Sequence, residues 1–478
     1  MSRRYSIAAR REKTIKLFDF SYGIDGRKDD RLSPFNAAAS SYNLRLSDGA
    51  LKTGYGMQYA SFPIGDGTYS PALPTGVVGK KIYYYEKFDF DDGVRRDRVL
   101  VLADDGYVYE YEVGTETGFT KVSALTFSAA AAPLGVNYRL NGEDVFLFAT
   151  SGGITVYDGT DATLYDAPEM TSVCVHGERL FVTSGREDTR LWFSESFDPT
   201  NWYVSLKEAG FIDFLDGRGK LLKAISFKDY VYIFRNYGIT RLTAYGDQED
   251  FYAAGIEADR AKIYGETVAD CGKVVFYLTD NGFYYFDGSS SGRIMRGLDR
   301  YLKGVDNSSA YAGFYDGKYF CSMKIRVDGV LTNVILCYDD SENSWFLIKD
   351  FTFSHFISVY AAGHYKLLFA FSARRLGELS DNPYFLATPL DMSWESKYSD
   401  FDVSERKTLE RITFYSGGNG TLKVISEEGE REFKLSGDGL KNIAVGLKGE
   451  NFKISYSASG AGAYLSKMSV KVNYFAGA

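Results

Sequence analysis

Three histidines, His176, His355 and His364, and four cysteines, Cys174, Cys271, Cys321 and Cys337, are the residues of this chain best suited to metal or nucleophilic chemistry. The histidines are far apart, so no His–His metal spacing exists, and no two cysteines are spaced CxxC. Cys174, His176 and Glu178 alternate, which on a strand would place them on one face. No fourth ligand can be named beside them, and a half-buried strand explains the same pattern. The cysteines read as reduced core thiols, and the other two histidines as solvated or satisfied side chains. Acidic clusters occur at Asp89, Asp91 and Asp92, at Asp104 and Asp105, and at Asp339 and Asp340. Carboxylates suit Ca²⁺, but the EF-hand spacing is missing, and acidic hairpin tips account for these clusters. No GxSxG, HExxH, Walker A or strand-following GxGxxG occurs, and Ser459-Gly-Ala-Gly-Ala463 lacks a phosphate-loop lysine. A glycosidase pair could always be picked from 63 acidic residues, so the sequence gives no warrant for one. We therefore expect no catalytic, cofactor-binding or metal-ligating residue, no cofactor, and no enzyme.

Basic residues are concentrated at the start. Residues 1–16 carry Arg3, Arg4, Arg10, Arg11, Lys13 and Lys16 against Glu12. So many cations are not expected to pack on their own core; the arm is expected either to order on a partner or to stay disordered. The internal pairs Arg95-Arg96 and Arg374-Arg375 read as solvated loop charge. The whole chain has 55 Lys and Arg against 63 Asp and Glu, net −8, which disfavours general nucleic-acid binding. Such a surface would let DNA pass without adhering. There is no run of 18 apolar residues to span a membrane, and no apolar h-region follows the basic start. The expectation is synthesis in the cytosol.

The elements that would position any site are strands. Tyr 38, Phe 35 and Gly 49 against Pro 9 is the composition that short strands and tight turns consume. Apolar runs broken by Asp-Gly, Asn-Gly or Gly-Gly recur, as in Val99 to Tyr111, Val145 to Tyr157, Tyr230 to Leu242 and Val274 to Phe286. Turn centres near Asp105, Gly152, Asn236, Asn281 and Asp340 are 47, 84, 45 and 59 residues apart, and the 84-residue interval holds a further hairpin at Gly185. A repeat of about 40–50 residues with four short strands each is the signature of a β-propeller. Residues 77–394 would hold six or seven blades. Residues 1–76 read as an N-terminal arm and loop-rich segment with one hairpin at Asp48-Gly49. Residues 395–478 lose the Tyr/Phe doublets and alternate evenly through six strands, a C-terminal β-sandwich. The fold class expected is all-β. Helical turns are confined to Ile256 to Tyr264 and Leu298 to Lys303.

Ser194-Glu-Ser-Phe-Asp-Pro-Thr-Asn-Trp202, Tyr230-Val-Tyr-Ile-Phe234, Tyr264-Gly-Glu-Thr-Val268 and Leu278-Thr-Asp-Asn-Gly-Phe-Tyr-Tyr-Phe-Asp-Gly288 form an ordered series. Together they resemble the β-propeller structural proteins of tailed bacteriophages, the tail-nozzle and tail-adaptor-like components. Leu46-Ser-Asp-Gly-Ala-Leu-Lys-Thr-Gly54 is similar to a phrase such proteins carry near their start, with Lys52-Thr-Gly54 in place of the usual Arg-Pro-Gly. The resemblance covers residues 40–300. It implies a non-enzymatic virion part of the tail or neck, assembled as a homo-oligomeric ring with other tail proteins around or near a DNA channel. The alternative expectation is a carbohydrate- or receptor-binding tail module read out by the C-terminal sandwich.

Overall fold

The structure, a computed structural model, describes residues 10–17, 20, 22–26, 36–90, 92–203, 208–256, 261–294, 298–327, 329–349, 351–353, 355–371 and 373–475. Arg3, Arg4 and Asp91, and 257–260 within the expected helical stretch from Ile256, lie outside them. The chain is nearly all β. From residue 79 it runs as antiparallel four-stranded meanders, each strand pairing with the next in sequence. The first comprises Gly79–Tyr85, Arg98–Ala103, Tyr107–Glu112 and Thr120–Thr126. The second, third, fourth and fifth begin at Leu134–Leu140, Ser172–His176, Leu221–Phe227 and Ala269–Asp270. Further meanders begin at Tyr311–Tyr315 and Phe356–Ala361. The opening strands stand side by side: Leu134–Leu140 touches Gly79–Tyr85 and Ser172–His176, which in turn touches Leu221–Phe227. This radial stacking is the arrangement of a β-propeller. The expected helix reduces to one turn, Asp299–Leu302, and Ile256 ends a strand.

The turns follow from local chemistry. Asp158 and Asp287 each follow the third strand of a meander and fold back on their own backbone. Asp158 Oδ1 accepts the Thr160 and Asp161 amides, both at 2.7 Å, and Asp287 Oδ1 accepts the Ser289 and Ser290 amides, both at 2.8 Å. Glycine follows in each case, and Gly288 sits at φ +100, which a side chain resists. Hydrogen bonds from Ser289 and Ser290, led by the Ser290 amide, hold the Asp287 carboxyl well below the usual range. Its contribution is therefore present above the unfolded carboxylate pKa near 4 and lost as pH falls below it. We expect Asp287→Ala to cost about 1 kcal/mol at pH 7. In denaturant melts the gap to the parent chain should begin to narrow below about pH 4 and keep closing as pH falls toward the depressed Asp287 pKa.

The surplus of tyrosine also has a structural reason. Phenol hydroxyls bridge neighbouring meanders by donating to backbone carbonyls: Tyr83 to Pro133 (2.8 Å), Tyr85 to Asp144 (2.5 Å), Tyr138 to Glu178 (2.6 Å), Tyr232 to Gly288 (2.8 Å) and Tyr319 to Thr267 (2.8 Å). Each ring fills an apolar seam between two sheets while its hydroxyl finds a backbone carbonyl of the neighbouring segment.

The two ends of the chain are interwoven. Gly56–Tyr59 pairs antiparallel with Gly377–Ser380, so the segment before the meanders supplies the outer strand of the last one. Ala38–Tyr42 joins Asp391–Ser396 and also meets Ser344–Ile348, which makes one nine-stranded sheet from the sixth meander into the C-terminal strands. A second sheet stacks the Leu44–Ser47 and Ala50–Thr53 hairpin on Tyr464–Phe475, Lys407–Gly417 and Gly439–Gly449. That hairpin turns through Asp48 and Gly49, both at positive φ, as a two-residue loop requires. Apolar side chains of both sheets, among them Leu44, Leu409, Val424, Tyr456 and Val470, form one buried core. Buried Asn43 ties the junction: its side chain donates to the Asp391 carbonyl (2.8 Å) and accepts the Lys349 amide (2.9 Å).

Two expectations are corrected here. The basic start is not a free arm over its described part, because Arg10–Leu17 pairs along its length with Met468 to Phe475. Ile15 enters the sandwich core, and the cations meet carboxylates, Arg10 at Glu410 (3.6 Å) and Lys13 at Asp402 (3.3 Å). The strands between Ala38 and Tyr59 likewise do not form a separate segment, since they pair with the last meander and with the C-terminal strands.

Candidate functional site

The opening strands of the meanders converge on a cavity of about 390 Å³. Its polar lining comes from separate meanders: Lys81 from the first, Lys223 from the fourth, Glu266 before the fifth, Tyr311 from the sixth and His355 before the last. Local sequence explains each placement. Lys81 stands in Gly79–Tyr85 between Lys80 and Ile82, and strand alternation turns it to the face opposite both. Glu266 sits in the short 3₁₀ turn Gly265–Thr267, exposed at the mouth. Thr267 locks that turn: its hydroxyl donates to Tyr264 (2.6 Å) and accepts the Leu278 amide (2.9 Å). His355 packs between Tyr83 and Tyr311, with ring centroids 6.3 and 5.1 Å away.

Charge is unevenly placed for so acidic a chain. Lys81 and Lys223 are half-buried cations facing one opposing carboxylate, Glu266. Burial pulls both ammonium pKa values down, and Glu266 works against that pull. Burial, followed by repulsion from Lys81 and Lys223, lowers His355 to about 3, so the imidazole is neutral at ordinary pH. Its Nδ1 is buried and has no hydrogen-bond partner among the described residues. Lys223 Nζ spends one proton on the Val268 carbonyl at 3.0 Å.

The residues singled out in the sequence fall elsewhere. Cys174 and His176 do alternate on Ser172–His176, and His176 Nδ1 lies 2.9 Å from Ser226 Oγ of the next meander. Glu178 leaves that face because the hairpin turns at Gly177 and Glu178, both at positive φ. All four cysteines are free thiols, and burial raises their pKa values. Among the described residues no group of three His, Cys, Asp or Glu is placed to hold a metal. The acidic clusters serve turns: Asp104 accepts the Val78 amide (2.9 Å) and Asp339 the Ser341 amide (3.1 Å). Arg95 and Arg96 are not merely solvated; they pair with Glu86 (3.0 Å) and Asp89 (3.3 Å), and also with Asp97 and Asp92. Arg374 donates to the Leu73 carbonyl (2.9 Å). His355, read as satisfied or solvated, is neither at Nδ1. Nothing in the sequence pointed to Lys81, Lys223 or Tyr311, and Glu266 appeared only inside the Tyr264 to Val268 motif.

A second feature lies on the outside. Trp192, Tyr203 and Phe211 form a surface cluster, with Trp192 5.9 Å from Tyr203 and 5.1 Å from Phe211. Tyr203 is 54% and Phe211 46% exposed, high for rings held in mutual contact. Burial, then the charges of Asp166 and Glu187, raises the Tyr203 pKa; Leu164 and Tyr165, on the second meander's outer strand Ala162–Tyr165, are also exposed. The preceding motif builds the support. Asp198 caps Thr200, Trp202 Nε1 donates to Pro199 (2.9 Å), and the Trp202 ring is buried in the core shared by the second and third meanders.

No protein-family model matches the chain, and no curated protein does. Among solved structures the chain is similar to BBS1N, in a complex with ARL6DN, at 13% identity and TM-score 0.39 over 65% of this chain and 96% of that one. It is also similar to Hsv2 of Kluyveromyces lactis, at 9% identity and TM-score 0.31 over 52% of this chain and 81% of that one. At such scores the architecture rests on the strand pairing rather than on the likeness.

Proposed function

We propose that this chain is a structural assembly protein of a bacteriophage tail or neck, a seven-bladed propeller fused to a sandwich and acting by protein contact. Seven blades follow if the last meander closes on the first. Contacts between Phe356–Ala361 and Gly79–Tyr85, and the pairing of Gly56–Tyr59 with Gly377–Ser380, support that closure. The setting in a virion comes from the resemblance of the Ser194 to Trp202 and Tyr264 to Gly288 motifs.

The observation that carries a contact role is the Trp192, Tyr203 and Phe211 cluster. Aromatic side chains are enriched in interface centres, and an isolated monomer gains nothing by holding them in water. The occupant is a second copy of the chain, repeated head to tail until a ring closes. The purified protein should show one discrete oligomer above a monomer by mass photometry. Tyr203→Lys with Phe211→Lys should leave monomer alone, with the melting temperature little changed. A parent chain that stays monomeric at tens of micromolar, or an oligomer indifferent to both charges, would remove this reading.

A further inference from the structure

The central cavity combines features that a structural pore does not need. We propose that it is a binding site for a small phosphate-bearing anion, held by Lys81 and Lys223 with His355 as a hydrogen-bonding neighbour. At about 390 Å³ the cavity falls at the small end of the range for ligand pockets. Its lining gathers two cations against a single carboxylate in a chain of net charge −8. An ammonium binds phosphate as a point charge, and two half-buried ones on one cavity suit a multiply charged anion; among the described residues no arginine lines it. The His355 Nδ1, buried and unpartnered among the described residues, is a polar atom awaiting an oxygen or a hydroxyl at the wall. Glu266 at the mouth is the internal competitor: in the empty cavity it is the carboxylate that attracts both lysines.

These roles predict opposite effects on one measurement. Titration of the full chain with pyrophosphate, by calorimetry at matched ionic strength, should show saturable binding at one site per chain. Lys81→Met and Lys223→Met should each weaken it tenfold or more. Glu266→Gln should tighten it several-fold, because the competitor is gone. Lys80→Met, an exposed neighbour on the other face of the strand, should change it less than twofold. The parent chain alone supplies a further test that needs no variant. Burial lowers both lysine pKa values and an arriving anion raises them, so binding and lysine deprotonation oppose each other. Affinity should therefore fall as pH rises through the lowered lysine range. The charged and titratable groups lining the site are Lys81, Tyr83, Tyr84, Lys223, Glu266, Tyr311 and His355. Inorganic phosphate and malonate, run in parallel, separate phosphate chemistry from dicarboxylate chemistry. Saturable binding of malonate alone overturns the proposal. So does an absence of saturable heat with every anion, or a Glu266→Gln variant that binds no more tightly.

Discussion

A chain that begins at residue 77 is expected not to fold, although the sequence repeat would place a domain boundary there. The lost segment contributes Gly56–Tyr59 to the last meander, Ala38–Tyr42 to the nine-stranded sheet, and the Leu44 to Thr53 hairpin to the sandwich. It also buries Leu44, Leu46, Leu51, Tyr55, Met57 and Phe62, all at most 7% exposed. At about 1.5–3 kcal/mol for each large apolar side chain, these six account for roughly 10–20 kcal/mol, as much as the whole net stability of an ordinary domain. Phe62 packs against Tyr111 of the first meander at 5.0 Å, so the loss reaches that meander as well. The Ser61 backbone, moreover, caps a half-buried ion pair: Lys366 donates to the Ser61 carbonyl (2.7 Å), and the Ser61 amide donates to Glu378 (3.2 Å). Removing it takes two hydrogen bonds from Lys366 and Glu378, which lie 3.2 Å apart. Expression of 77–478 should yield aggregate, or a species lacking a cooperative melt by circular dichroism. A milder probe is Met57→Pro, which removes one donor from the closing strand and should cost about 3 kcal/mol or more. A soluble 77–478 chain with the parent's melt would show that the ring does not depend on this closure.

The failure of the sequence to reveal that strand has a physical cause. Gly-Met-Gln-Tyr at 56–59 carries no alternation, and its partner lies more than 300 residues away. Strand pairing at such separation leaves no local trace, whereas the Asp-Gly hairpins are set by bonds between an aspartate and the amides two and three residues on. Hence the meander turns and the six C-terminal strands were legible, down to boundaries within a few residues, while the weaving of the termini was not. The Arg10–Leu17 strand was hidden for a different reason. So dense a run of cations suggests an arm that orders on a partner or stays disordered, yet the paired strand sets Arg10 against Glu410 while Ile15 enters the core from the other face. The cavity was the least legible feature. Lys81, Lys223, Glu266, Tyr311 and His355 span about 275 residues at one or two per meander, and each looks like an ordinary strand or loop side chain. Only radial stacking turns five scattered residues into one lining. Tyrosine shows the converse: its abundance was plain in the composition, but its work as a bridge between sheets emerged only with the partners named.

Trp394→Ala offers the second large effect and, through its size, a measure of how tightly the two halves of the molecule are joined. Trp394 is 1% exposed, pairs in register with Ser41 and Tyr456, and receives the edge of Phe20 at 5.1 Å. Truncating a buried tryptophan leaves a cavity and costs about 3–5 kcal/mol. How far the melting temperature falls depends on the number of residues that unfold together. Unfolding entropy near 60 °C is about 2 cal/mol/K per residue, so a cooperative unit of all 478 residues loses only about 3–5 °C. A sandwich of about 130 residues melting alone would lose roughly 10–20 °C, in a separate early transition. The continuous nine-stranded sheet and the buried Asn43 junction place this protein in the first case. Calorimetry of the variant should therefore show one transition shifted by a few degrees. Two transitions, the lower displaced by more than ten degrees, would mean that the sheet is continuous in geometry but not in energy, and that the propeller stands without the sandwich.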